Sequence, residues 1–217
     1  MQRLTYIQTE NYVYLSTIAS LVVQVIIGFV TAFGFFLPLP EGEEDLSIVL
    51  GLELGSQIIE FLWYFTVVCF YKKIQTWSRY IDWSISTPIM IVSLWMFLRI
   101  RTNKPIVPNG NLLVSISFNQ LMLAFGLGLE LKVYPKLSTV FAGSMALAAS
   151  YIFIARDLGN DVLSIVLFSS ILFVWSLYGV AALANYTLKN ILYNGLDIIS
   201  KNFYGLFLFV YIVIRSY

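Results

Sequence analysis

Residues 191–207 read ILYNGLDIISKNFYGLF. The run is apolar enough to cross a bilayer, yet Lys201 stands inside it and Asp197 lies one helical turn earlier on the same face. A lysine near the centre of a membrane-spanning helix costs about 2.5–3.5 kcal/mol on insertion scales, so an intramembrane charge marks a functional site by default. One reading is a buried ion pair that ties two helices together. The other is chemical: a lysine amine taken out of water is suited to bind an aldehyde as a Schiff base, with Asp197 as part of the counter-ion.

Composition limits what surrounds this stretch. Of 217 residues, 59% are hydrophobic and 12% charged, and the mean hydropathy is +0.81. A soluble domain of this size cannot bury so much apolar surface, and the apolar runs between charge clusters are long enough to span a bilayer. The single cysteine, Cys69, excludes an internal disulfide and a cysteine metal site. With no histidine there is no imidazole proton shuttle and no histidine ligand. Neither a metal site nor an enzymatic activity is expected. A net charge of +1 gives no sign of a nucleic-acid partner. Residues 1–11 are polar and the first apolar run is too long for a signal-peptide core, so no cleavable signal is expected.

The apolar pattern predicts an all-α membrane protein, a single domain over 1–217, with seven spans at roughly 10–37, 46–70, 76–101, 109–131, 135–156, 160–186 and 189–215. Short breaks separate them: PLPEGEED at 38–45, Lys72–Lys73, KPIVPNG at 104–110, Pro135–Lys136 and Arg156–Gly159. Such connections make neighbouring helices antiparallel. Basic residues divide almost evenly between the two sides, so loop charge leaves the orientation open. The acidic loop residues Glu41, Glu43, Glu44 and Asp45 read as a solvated turn, or as a cation-concentrating or divalent-ion site at a pore mouth.

The third span holds the most specific string, RYIDWSISTP at 79–88. Arg79 and Asp82 are three residues apart and Asp82 and Ser86 four, so they share a helix face, and Pro88 kinks the helix or frees a carbonyl. This string resembles the R-Y-x-D-W-x-x-T-T-P signature of proton-pumping microbial rhodopsins, and D-x-x-x-K on the last span resembles their retinal attachment site. The resemblance covers essentially the whole chain. It implies a seven-helix bundle with all-trans retinal in its core, bound as a protonated Schiff base to Lys201. It makes Asp82 the main counter-ion and proton acceptor, Asp197 its partner, and Arg79 the gate below them. Trp83, Thr87 and Tyr64 become pocket residues, as do Trp175 and Tyr178, whose W-x-x-Y-G departs from the family's W-x-x-Y-P. Met122, Gly126, Phe141 and Ser144 fall near pocket positions, and Asn119 replaces the acid that bonds the Thr87 hydroxyl. Ser93 stands where pumps place a carboxylate that reprotonates the Schiff base. The resemblance also puts the N-terminus outside and the C-terminus in the cytoplasm.

The second span departs from a pump. Glu53 and Glu60 are seven residues apart, about 10.5 Å along one helix face, and both must face the bundle interior or water. One structural reading is that they satisfy polar neighbours near the membrane edge. Two glutamates at this spacing, with an Asn directly after the retinal lysine, are similar to the ion path of channelrhodopsins; here that Asn is Asn202, and Ser20 or Ser16 supplies a further polar wall. With the short loops, the chain resembles the group 1 viral rhodopsins. The resulting expectation is a light-gated cation channel lined by Glu53, Glu60, Ser20, Asn202, Asn119 and Ser93. A light-driven outward proton pump and a photosensor signalling to a partner are the alternatives. The partners implied are the lipid bilayer, permeant cations or protons and, at most, further copies of the chain in a homo-oligomer.

Overall fold

The computed structural model describes residues 2–39, 41–70 and 74–216, with side chains of the first helix from Asn11 onward. The break predicted at Lys72–Lys73, and Pro40 within the break predicted at 38–45, lie outside the described residues. Among the described residues all regular structure is helical: α1 (Gln2–Phe33), α2 (Asp45–Phe70), α3 (Arg79–Arg101), α4 (Gly110–Glu130), α5 (Lys136–Ile154), α6 (Val162–Ala182), α7 (Tyr186–Asp197) and α8 (Phe203–Ser216). A π-helical turn, Ile198–Asn202, joins α7 to α8, so the seventh span runs Tyr186–Ser216. Seven spans are thus long and apolar enough to cross a bilayer, and the protein is an integral multi-pass membrane protein.

Two boundaries differ from those predicted. The apolar run to residue 186 hides a helix end: α6 stops at Ala182, and α7 starts at Tyr186 because the Asn185 side chain accepts the Leu188 N–H at 3.0 Å. The first helix begins at Gln2, well before its apolar part at Asn11–Phe36. Other helix starts are capped in the same way: Asn109 accepts from Leu112 and Asp161 from Ser164, each at 3.0 Å.

Helices adjacent in sequence pack side by side, and the seventh span returns to α1, closing the ring. The third span is the most enclosed, with 67% of its apolar window inside against 22% for the first. Lipid is as apolar as leucine, so close packing and interhelical hydrogen bonds hold such a bundle. The Ser115 and Ser150 hydroxyls, 2.9 Å apart, join α4 to α5 in this way. At the end where α3 meets the α5–α6 connection, buried Asp157 accepts from Trp95 Nε1 and Arg99 Nη1, both at 2.8 Å. At the same end of the bundle, Glu43 pairs with Arg215. The amides of Glu44 and Gly42 hold the exposed Glu44 carboxyl below its ordinary range.

Candidate functional site

Lys201 sits in the π-helical turn, where the Phe203 N–H reaches back five residues to the Ile198 carbonyl. Such bulges recur at functional sites because they re-aim a side chain without ending the helix. The Lys201 side chain is buried at the centre of the bundle, and its Nζ lies 2.9 Å from Asp82 Oδ2. Glu60 Oε1 is 3.7 Å from the same nitrogen. Two acidic side chains from two helices therefore face one amine, and a buried charge survives only when so paired.

Asp197 has a different neighbourhood. Its carboxylate accepts from Tyr64 Oη at 2.8 Å, Tyr178 Oη at 2.8 Å, Trp83 Nε1 at 3.2 Å and Arg79 Nη1 at 3.0 Å. The Arg79 guanidinium also donates to Asn194 and lies 4.6 Å over the Trp63 ring. The shared face of Arg79 and Asp82 on α3 does not make them an ion pair: Arg79 pairs with Asp197 across the bundle and Asp82 with Lys201. Asp197 is saturated with donors, whereas Asp82 Oδ1 has no hydrogen-bond partner among the described residues.

Next to Lys201 opens a cavity with mostly apolar walls. Of the predicted pocket residues, Trp83, Thr87, Met122, Gly126, Ser144, Trp175 and Tyr178 line it together with Lys201. Asn119 donates to the Thr87 hydroxyl at 2.6 Å, as the resemblance implied. Gly126 is required by close approach, since a Cβ there would come within 2.6 Å of the Tyr80 ring and hydroxyl. Two predicted pocket residues are corrected. Phe141 is 67% exposed on the outer face of α5 and leaves the wall to Val140, Gly143 and Ser144. The step of about 100° from Val140 carries the Phe141 side chain round to the exposed side of α5. Tyr64 is buried outside the cavity lining, spent on Asp197 and Arg79. The apolar, aromatic walls with one amine at the edge fit a long apolar aldehyde, the chemistry of retinal.

The polar residues of α2 form a buried row, Glu53, Ser56, Gln57 and Glu60. Ser93 is buried and donates to the Val49 carbonyl at 3.4 Å, with Tyr204 Oη 3.3 Å away. Asn202 is fully buried with both side-chain polar atoms unpartnered among the described residues, so no bond from either glutamate reaches it. The Ser20 hydroxyl is used on the Asn194 carbonyl at 3.1 Å. One turn further along α1, Gln24 is 2% exposed, and neither amide atom has a partner among the described residues. Sequence reasoning missed Gln24, Gln57, Asn194 and Tyr204. Their only signal was a polar group inside an apolar run, and amides and phenols are too common in membrane helices for that to stand out.

A profile of the bacteriorhodopsin-like proteins matches residues 15–215. The chain belongs to the bacteriorhodopsin-like family. Membership implies a retinal chromophore and makes the protein a microbial rhodopsin. Solved structures share the fold across nearly the whole chain. Viral rhodopsin OLPVRII superposes with a TM-score of 0.84 at 22% identity, covering 92% of this chain and 96% of that one. Halorhodopsin from Halobacterium salinarum gives 0.78 at 13% identity, with 98% of each chain covered. A light-driven proton pump from Leptosphaeria maculans gives 0.70 at 16%, covering 92% and 95%. No curated protein sequence matches the chain.

Proposed function

We propose that this microbial rhodopsin is a light-gated cation channel, a single domain with all-trans retinal carried by Lys201, its N-terminus outside and its C-terminus in the cytoplasm. The observation that carries the channel reading is the buried polar row of α2, whose Glu60 approaches the Lys201 nitrogen to 3.7 Å. Retinal held there supplies light absorption and isomerisation beside Lys201. The protein's own part is to hold a proton at Lys201 Nζ against Asp82 Oδ2 and to keep Asp197 fixed by four donors. Asp82, with one oxygen uncommitted, is the acceptor for a proton leaving Lys201.

A channel needs a continuous polar path whose groups bind ions weakly enough to release them. Glu53, Gln57 and Glu60 on α2, Gln24 on α1 and Asn202 beyond Lys201 supply buried polar groups on three helices of the ring. Among the described residues Gln24, Glu60 and Asn202 have no hydrogen bond to either side-chain polar atom, and Glu53 and Gln57 each have one such atom, so they stand ready to receive a hydrated ion. Ser93 lacks the acid group that would return a proton from the other side.

Outward proton pumping is the second reading. It is favoured by the Lys201–Asp82 and Arg79–Asp197 pairs and by likeness to a structure described as a light-driven proton pump. Photocurrents recorded across a range of voltages separate the two. The channel reading expects current that reverses with the cation gradient; current that stays outward at every voltage and is carried by protons alone overturns it in favour of the pump.

A further inference from the structure

We propose that Gln57 is a positioning residue that ties the main chain of Lys201 to α2, so that movement at the lysine reaches Glu53 and Glu60. The inference rests on the channel reading and adds to it the part that links chromophore to path. Gln57 is 2% exposed, and its Nε2 donates to the Lys201 carbonyl at 3.4 Å and lies 3.5 Å from Thr31 Oγ1. A side chain of α2 thus grips the main chain of the residue that bears retinal.

The fit around Gln57 is built for this contact. Gly205 lies one turn after Lys201, and a Cβ there would come within 2.0 Å of Gln57 Nε2 and 3.0 Å of Thr31 Oγ1. The missing Cβ leaves room for the amide in its present position. On α2, Gln57 follows Glu53 by four residues and precedes Glu60 by three, so all three lie along one face of a rigid helix. On the other side, the π-helical turn departs from the regular α-helical ladder around Lys201, so an outside donor gives that carbonyl a fixed reference. The Gln57 Oε1 has no partner among the described residues, which leaves the amide free to pivot while Nε2 holds the carbonyl.

A residue that merely fills space would affect stability alone. The test therefore compares Gln57→Met, Gln57→Asn, Gln57→Ala, Gly205→Ala and the double variant Gln57→Ala/Gly205→Ala. Pigment formation with all-trans retinal reports that each has folded, and Gln57→Asn carries the test if Gln57→Met does not fold. The readouts are the light-minus-dark infrared bands of the Glu53 and Glu60 carboxyls, assigned with Glu53→Gln and Glu60→Gln, and the decay of photocurrent after the light is switched off. Gln57→Met and Gly205→Ala should each diminish the glutamate bands and change the decay by about two- to tenfold, the reach of one neutral hydrogen bond. The Gly205→Ala defect should not add to that of Gln57→Ala in the double variant. Unaltered glutamate bands in a folded Gln57 variant, or a Gly205→Ala defect that adds in full, overturn the proposal. A wild type that passes no passive current but shows glutamate bands dependent on Gln57 overturns the channel reading and leaves the link standing.

Discussion

Replacing Arg79 by glutamine removes the cation from the buried pair with Asp197. The two groups are 3.0 Å apart and each is 1% exposed. At an effective dielectric of about 20, unit charges at that distance attract by about 5–6 kcal/mol. Desolvation offsets much of that in the intact pair, but removal of one partner strands the other, at a cost of roughly 3–5 kcal/mol. Asp197 keeps its three neutral donors, Tyr64, Tyr178 and Trp83, so Arg79→Gln belongs at the low end, about 3 kcal/mol. That is roughly a hundredfold fall in the ratio of folded to unfolded protein. The assay is a denaturing-detergent titration followed by helical circular dichroism, with Asp197→Asn and the double variant beside it. The double variant carries no stranded charge and should be more stable than the two single costs predict, by roughly 1–3 kcal/mol. A loss under about 1 kcal/mol for Arg79→Gln, or strictly additive costs, refutes the account of Arg79 and Asp197 as a mutually dependent buried pair.

Lys201→Ala should abolish the visible band formed with all-trans retinal; a surviving visible pigment would remove the lysine from its assigned place. Asp82→Asn should red-shift the pigment, because a nearby carboxylate stabilises a ground-state cation. Glu60→Gln should shift it less, since Glu60 stands at 3.7 Å from Lys201 Nζ against 2.9 Å for Asp82. Absorption spectra in which Glu60→Gln moves the band further than Asp82→Asn would exchange the two roles.

Much of the protein was legible before any coordinates. Seven spans followed from the length and hydropathy of the apolar runs, because a bilayer of fixed thickness leaves a polar backbone few ways across. Lys201, Asp82 and Asp197 were legible because a charge in lipid is costly and has few reasons to be there. Contacts across the bundle were not. Helical spacing places Arg79 beside Asp82, but spacing within one helix says nothing of a neighbouring helix, and the packing of α7 against α3 gave Arg79 to Asp197 instead. Glu60 was read from its place on α2 as part of an ion path alone; only the rotation of α2 brings it within 3.7 Å of the lysine nitrogen. Phe141 shows the same limit from outside, since an aromatic residue is equally at home against retinal or against lipid, and the rotation of α5 turned it outward. Gln57 is the furthest from sequence reasoning. Its amide is an ordinary polar group in an apolar run, and it acquires a role only because the missing Cβ of Gly205, on another helix, lets it reach the Lys201 carbonyl.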